Sequence, residues 1–449
     1  MHYYSHSDPK LTARFGDALL SSLAPDGGLY MPSSIPKFTP AQQAEMGALP
    51  FWACAAKLAR YFVDDRFSDE DLTEICEDAY DFKVPMVTAD DYHLDPAMNE
   101  PKNDFFLELF HGPTLAFKDF AARFMGRSVS RLMDSGDSRT ILVATSGDTG
   151  GAIGYSFLNQ SGTKVFILYP EGGVSAVQEQ QLTTMGENSN VRALRVTGSF
   201  DDCQALVKAA FADQEMTAKH KLMSANSINV GRVVPQSFYY FWASLQAKAA
   251  YPTRPLVFSI PSGNLGNLTG GLIAKKMGAP IDRFVVGHNA NDPFIDYLKT
   301  GEYTPRPSVP TLSNAMDIGR PNNFPRILEL FGGNLDEIRK SVWGASFSDE
   351  DTARHMRRYF NTTGYVMCPH TAVGHLAIQA FREDVDIDFT QITVATAHAG
   401  KFKTDVERII REDIKMPEAL TNLMQKNQLI TEMEPNLTAL KAVLAAENV

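Results

Sequence analysis

Lys118 stands in the segment Glu108-Leu-Phe-His-Gly-Pro-Thr-Leu-Ala-Phe-Lys-Asp-Phe-Ala-Ala-Arg123, between Phe117 and an apolar run, where a helix is expected to begin. Apolar surroundings disfavour the charged ammonium and lower a lysine's proton affinity. A lysine so placed can serve as a nucleophilic amine that condenses with a carbonyl group. The same residue can equally be an ordinary lysine in the first turn of an exposed helix. A second segment, Ser262-Gly-Asn-Leu-Gly-Asn267, lies between a short apolar run and a helical pattern. Its two glycines let backbone N–H groups converge without Cβ clashes. The helix after it adds unpaired N–H groups and a positive dipole end, which suits a phosphate. A tight turn that binds nothing has the same local sequence. No Gly-Lys-Ser/Thr closes the segment and it is no GxGxxG fingerprint, so a small phosphate is expected in preference to a nucleotide.

A lysine amine together with a phosphate cradle is what pyridoxal 5′-phosphate requires, the amine for its aldehyde carbon and the cradle for its phosphate. Three strand–loop–helix units would position these groups. The first has a strand over 140–144, the loop Thr145-Ser-Gly-Asp-Thr-Gly150, a helix over 151–160 and a strand over 164–169. The second has a strand over 256–260, the loop 261–267, a helix to 277 and a strand over 283–287. The third has a strand over 391–395, the turn Thr396-Ala-His-Ala-Gly-Lys401 and a helix from 404. Such βαβ units build parallel sheets covered by helices. Their polar loops lie at the carboxyl ends of the strands, where open α/β sheets bind ligands. The first hundred residues read differently, with a Pro/Gly-rich patch over 24–32, a helix over 51–62 and an acidic linker from Thr88 to Asn103. The expectation is an α/β protein with an N-terminal domain over 1–100 and a catalytic region over 101–449.

His111-Gly-Pro-Thr-Leu-Ala-Phe-Lys-Asp-Phe120 resembles the cofactor-lysine motif of threonine synthases, in the fold-type II branch of pyridoxal-phosphate enzymes. Further segments are similar to the same family and stand in its order. They are Leu23-Ala-Pro-Asp-Gly-Gly-Leu-Tyr-Met-Pro32, the loop 145–150, Ser224-Ala-Asn-Ser-Ile-Asn-Val-Gly-Arg232, Ala315-Met-Asp-Ile-Gly319 with Asn323-Phe324, and Pro369-His-Thr-Ala-Val-Gly374. The resemblance runs from about residue 23 to residue 401. It implies a two-lobed catalytic region with the cofactor in the cleft and Lys118 as the residue that links to it. It implies that Gly263, Asn264, Leu265, Gly266 and Asn267 hold the cofactor phosphate, that the Thr396 hydroxyl faces the pyridine nitrogen, and that Asp148 lies near the 3′-oxygen. Thr145, Ser146 and Thr149 would bind the amino-acid carboxylate or nearby groups. Asn226, Ser227 and Arg232 would grip a phosphate on the substrate, a task suited to the planar, always charged guanidinium. Without the resemblance, Arg232 would read as a surface arginine after a loop.

The reaction so implied turns O-phospho-L-homoserine and water into L-threonine and phosphate by β,γ-elimination and replacement. Alternatives are a lyase releasing phosphate and 2-oxobutyrate, a dehydratase of free hydroxy amino acids, and a catalytically inactive binding protein on the same scaffold. Arg232 with Asn226 argues against the dehydratase. Lys118, the loop 263–266 and Thr396 argue against the inactive protein. The sequence departs from the family pattern at Ser5-His-Ser-Asp8, at Cys368 and at Pro321-Asn-Asn-Phe-Pro-Arg326. None of these is expected to touch the lysine, phosphate or pyridine positions. His111 and His370 read as packing or supporting residues, and the spacing of His370, His375 and His398 does not suggest a metal site.

Composition narrows the partners. The 42 Lys and Arg against 53 Asp and Glu, a net charge of −11, argue against general nucleic-acid binding. No run of 18 apolar residues predicts a membrane span. Cys54, Cys76, Cys203 and Cys368 form no CxxC pair, so reduced thiols are expected. The N-terminus has no basic stretch followed by an apolar core, which makes the cytoplasm the expected location.

Overall fold

The computed structural model describes residues 1–88, 104–186 and 188–446. The chain opens on a small antiparallel sheet of β1 (His2–Ser5), β2 (Thr12–Arg14) and β3 (Tyr30–Pro32), in the order β2-β1-β3. It then lays down β4 (Met86–Thr88) and β5 (Asp104–Glu108). Next come β6 (Arg139–Ala144), β7 (Thr163–Pro170), β8 (Val191–Val196) and β9 (Leu222–Ser224). The strands β10 (Leu256–Pro261), β11 (Arg283–His288), β12 (Val342–Ser346), β13 (Thr390–Ala395) and β14 (Ile430–Met433) complete the set. One six-stranded sheet has the order β12-β11-β10-β13-β5-β4, parallel except for β4 at its edge. A five-stranded parallel sheet has the order β14-β8-β7-β6-β9. The chain therefore leaves the first sheet after β5, builds most of the second, returns at β10, and sends β14 back.

The central strands read as unbroken apolar runs because helices cover both faces of a parallel sheet. All six residues of β10 and of β13 are buried, as are those of β6 after Arg139. Observed ends differ from the sequence expectation by a few residues. The helix expected over 151–160 is Asp148–Phe157, so Asp148 opens it instead of lying in the loop. The one expected over 51–62 is Phe51–Ala59, and the one expected from 404 is Lys403–Ile410, entered through a 3₁₀ turn at Ala399–Phe402. Residues 89–103 of the acidic linker lie outside the described residues.

The N-terminal stretch shares one apolar cluster with the sheets and their helices, from Tyr3, Phe15 and Phe62 through Phe120 and Phe238 to Val286. Its bearing on the site runs through Phe120, two residues after Lys118. The Phe120 ring lies 5.4 Å from Phe51, 5.8 Å from Tyr80, 5.1 Å from Phe82 and 5.2 Å from Tyr239. Clusters of tilted and edge-on rings hold direction as well as burying area, so the first turn of the helix Lys118–Leu132 is clamped from the N-terminal side. Among the described residues no helix is long and apolar enough to cross a membrane.

Burial also sets a pH dependence. It pushes the imidazoles of His288, His370 and His398 down to about 4 and that of His355 to about 3. These groups are neutral in the folded chain and take up protons on unfolding, so the stability they contribute is present above about pH 6.5 and is lost as the pH falls toward 4. Burial raises the carboxyls of Asp119 and Asp317 to about 6, and their proton uptake in the folded state offsets part of this loss below pH 6. Each uncompensated group steepens the loss by at most about 1.4 kcal/mol per pH unit. The urea midpoint is expected to drop between pH 7.5 and pH 5, and equal midpoints would contradict the assignment of these histidines as buried and neutral.

Candidate active site

The segment before Lys118 is stitched to the end of β13. Leu109 N–H donates to the Ala395 carbonyl (3.0 Å), Phe117 N–H to that of Thr396 (2.8 Å), and His398 N–H to that of Leu115 (3.1 Å). This brings Lys118 and Thr396 into one cavity. Lys118 keeps part of its surface open to that cavity, yet the surrounding protein strips it of water. Desolvation first, and the charge of Arg232 second, lower its amine to about 8, with Asp148 opposing. Its Nζ lies 4.6 Å from the Phe117 ring centroid. Among the described residues it has no hydrogen-bond or ion-pair partner, so the amine is left for a ligand. The neighbouring Asp119 points elsewhere and accepts from Thr114 N–H (2.9 Å) and Oγ (2.6 Å).

The loop after β10 is shaped as an anion cradle. Leu265 adopts φ +59° and caps the helix Gly266–Lys276. A Cβ on Gly263 would fall 2.6 Å from the Met316 Cα, so a side chain is excluded there. Among the described residues the N–H groups of 263–267 meet no protein acceptor. Ser262 Oγ and Asn267 Nδ2 are likewise buried without partners. Asn267 Oδ1 accepts from the Tyr239 and Tyr240 hydroxyls, the latter at 2.8 Å, which leaves its Nδ2 as a free donor. A buried set of donors this large is costly unless an anion meets it. Beside an unpaired amine, it fits the phosphate and the aldehyde of pyridoxal phosphate. Gly263→Ala should raise the cofactor dissociation constant at least about tenfold, some 1.4 kcal/mol, with an unchanged circular dichroism spectrum. Unaltered cofactor titration would show that Gly263 does not shape the binding loop.

The third loop follows β6. Gly147, at φ +125°, has no room for a side chain beside Gln178. Thr145 Oγ accepts from the N–H groups of Gly147 and Gly150, each at 2.9 Å, and keeps its own O–H to donate. The N–H groups of Ser146, Asp148 and Thr149 face no acceptor among the described residues. Burial opposes ionisation of Asp148, but Lys401 (2.8 Å), nearby His370 and Gln178 (3.0 Å) outweigh it and hold the carboxyl below its usual range. Lys401 is fully buried and also donates to the Thr114 carbonyl (2.9 Å). The sequence reading placed Lys401 only at the end of a turn. Its partner lies far away in the chain, and no local pattern marks it.

Around Arg232 the structure refines the expected contacts. Asn226 spends its amide on the main chain of Ala144, accepting at 3.1 Å from the N–H and donating at 2.6 Å to the carbonyl. Ser227 Oγ accepts from Asn264 (2.9 Å) and Asn323 (3.0 Å). Arg232 is buried, donates through Nη1 to the Ala225 carbonyl, and has an unpartnered Nε. Burial lowers its guanidinium to about 10, with Asp119 opposing. It has no ion pair among the described residues, which leaves a buried cation without a counter-ion.

One expectation is corrected. The departure at 321–326 does reach the 263–267 loop, because Asn322 N–H donates to Asn264 Oδ1 (2.6 Å) and Asn323 Nδ2 to the Asn264 carbonyl (3.0 Å). Arg326, fully buried and lowered to about 9 by desolvation, donates to the carbonyls of Ser227 (2.7 Å) and Ile228 (2.6 Å) and to Asn323 Oδ1 (2.6 Å). It ties the cradle to the 226–232 loop. The other departures lie off the cavity. Ser5 accompanies Asp26 (2.9 Å), and Cys368 caps the helix Pro369–Asp384. His111 pairs with Glu108 (2.7 Å), whereas His370 lines the cavity. Every other residue expected in the site, from Lys118 through Thr145, Ser146, Asp148, Thr149, Asn226, Ser227 and Arg232 to the 263–267 loop and Thr396, lines that same cavity.

Residues 94–396 match the family model for pyridoxal-phosphate dependent enzymes, residues 2–80 that for the threonine synthase N terminus, and residues 371–444 that for the threonine synthase C-terminal region. The threonine synthase of Haemophilus influenzae is 39% identical over 99% of both chains. The crystal structure of threonine synthase from Escherichia coli superposes with a TM-score of 0.89 at 36% identity over all of both chains. That of the pyridoxal-phosphate-bound threonine synthase from Brucella melitensis gives 0.89 at 33% over 99% of both. The fold is that of a pyridoxal-phosphate-dependent lyase. Within that class, the chain belongs to the threonine synthase family.

Proposed function

We propose that the protein converts O-phospho-L-homoserine and water into L-threonine and phosphate by β,γ-elimination and replacement. The observation that carries this reading is a pair of separate anion-binding groups in one cavity. The N–H run of 263–267 has the form of a cradle for the cofactor phosphate. The buried, unpaired guanidinium of Arg232 suits a second phosphate, that of the substrate.

When bound, pyridoxal phosphate supplies a conjugated ring that spreads the charge left when a proton departs from the carbon bearing the amine. Lys118, with its amine lowered to about 8, is the base that takes this proton and then serves at Cβ. The Thr145 O–H and the free N–H groups of Ser146, Asp148 and Thr149, at the start of the helix Asp148–Phe157, hold the amino-acid carboxylate. Arg232, with Ser227 beside it and Asn226 fixing the loop to β6, holds the departing phosphate. Thr396 would offer a neutral hydroxyl to the pyridine nitrogen, which, unlike a carboxylate, would not favour a proton there and would restrain side reactions such as transamination. Asp148, held ionised against Lys401, would stand near the 3′-oxygen of the bound cofactor. The N-terminal unit, whose described part ends at Thr88, braces the lysine helix through Phe120. Four free, buried thiols accord with a cytoplasmic location.

The test is to give O-phospho-L-homoserine to the cofactor-loaded protein, follow phosphate release and identify the carbon product. Threonine in step with phosphate is expected. If 2-oxobutyrate matched the phosphate instead, the protein would be a lyase of the same substrate, and absent phosphate release would refute the assignment of Arg232.

A further inference from the structure

The segment between the helices Pro293–Thr300 and Phe324–Leu330 carries an aspartate that none of these roles uses. Residues 306–319 form a strap whose ends meet, Arg306 N–H donating to the Gly319 carbonyl (3.2 Å). A side chain at Gly319 would collide with the Arg306 carbonyl, so this closure needs glycine. Inside the strap the Asp317 carboxylate gathers four donors. They are Thr311 N–H (2.9 Å), Thr311 Oγ (2.7 Å), Asn289 Nδ2 (2.9 Å) and Asn291 Nδ2 (3.1 Å). Asn289 and Asn291 follow directly after β11, so one carboxylate ties the strap to itself and to the rigid end of the six-stranded sheet. Asn291 adds a two-way bond to Val309, at 2.8 and 2.9 Å.

The strap so held reaches across the cleft. Asn314 Nδ2 donates to Gln178 Oε1 (3.2 Å) on the helix Ala176–Thr183 of the other lobe, and Gln178 in turn donates to Asp148 (3.0 Å). Ala315 N–H donates to His370 Nε2 (3.1 Å). The main chain of Met316 lies where a Cβ on Gly263 would fall. Ala315, Met316 and Ile318 thereby form a wall of the cavity.

We propose that Asp317 is a positioning residue: it keeps the strap folded so that Ala315 and Met316 stand as a fixed wall against the phosphate-binding loop, and through that wall it sets how tightly the cofactor is held. The charge of Asp317 acts at a distance from the ligands, through main-chain placement. The proposal rests on the reading of 263–267 as the cofactor cradle.

The experiment titrates cofactor-free protein with pyridoxal phosphate, followed by absorbance, for the wild type, Asp317→Ala, Thr311→Val and Gly263→Ala, with urea unfolding of each. Asp317→Ala leaves four donors unpaired, so its urea midpoint is expected to fall; on the folded protein it is expected to raise the dissociation constant at least tenfold and to raise KM more than it lowers kcat. Thr311→Val removes one of the four donors and should give a smaller change of the same sign. If Gly263→Ala weakens binding and both strap variants leave it unchanged, the role of Asp317 is refuted. If Gly263→Ala has no effect, the cradle reading itself fails. Should Asp317→Ala not fold, Thr311→Val alone decides, and wild-type affinity there overturns the proposal.

Discussion

Lys118→Ala should lose the visible band of the lysine-bound cofactor and at least about 10⁴-fold in turnover, because the covalent link and the base go together. Two features of the described residues single it out. Lys401, the other lysine beside the cavity, is engaged by Asp148 and the Thr114 carbonyl. Lys118, by contrast, has no partner among the described residues, and its amine is lowered to about 8, so an unprotonated fraction exists near neutral pH. Removing an amine that makes no hydrogen bond or ion pair among the described residues, and only a contact with the Phe117 ring, should leave the urea midpoint close to that of the parent. Lys118→Arg should fail as well, since a guanidinium stays protonated and cannot condense with an aldehyde. Absorbance and turnover measured on one preparation settle the matter: a normal spectrum with normal turnover would sink the assignment.

Arg232→Ala should keep its cofactor spectrum while kcat/KM for O-phospho-L-homoserine falls. The cofactor phosphate is assigned to main-chain N–H groups, which this substitution does not touch. The substrate phosphate has to rely on side chains, and in a protein of net charge −11 a dianion needs a local cation. Loss of a charge-assisted contact from a desolvated site costs roughly 2–4 kcal/mol, or about 30- to 1,000-fold. Arg232→Lys should recover only part of this, because a point charge replaces a fork of donors. The truncation also frees the Ala225 carbonyl, so a modest fall in stability is expected beside the kinetic effect. A mutant that loses cofactor, yet turns over normally once saturated with it, would place Arg232 at the cofactor and overturn the division of the two phosphates.

The groups that act through consecutive residues were legible in the chain itself. A lysine at the start of a helix and two glycines framing a βα loop need only local spacing, whereas the part given to Thr396 came from the family resemblance; strand alternation with helices dictates that such loops gather at one edge of a parallel sheet. The five strands expected from the sequence fell within a residue or two of their observed ends because buried parallel strands are unbroken apolar runs, whereas helix starts such as that at Asp148 depended on capping geometry that periodicity does not carry. What only the tertiary structure decided are the pairings between distant residues. Lys401 meets Asp148, Arg326 ties Ser227 to Asn323, and Asp317 joins Thr311 to Asn289 and Asn291. The segment 321–326 was not expected to touch the 263–267 loop and proved to hold it through Asn264. Burial decided the rest, since Arg232 reads in the chain as an arginine after a loop and becomes suited to an anion only where folding removes its water and supplies no carboxylate. The charge state and direction of a buried polar group follow from what the fold packs against it, and a linear pattern holds no record of that.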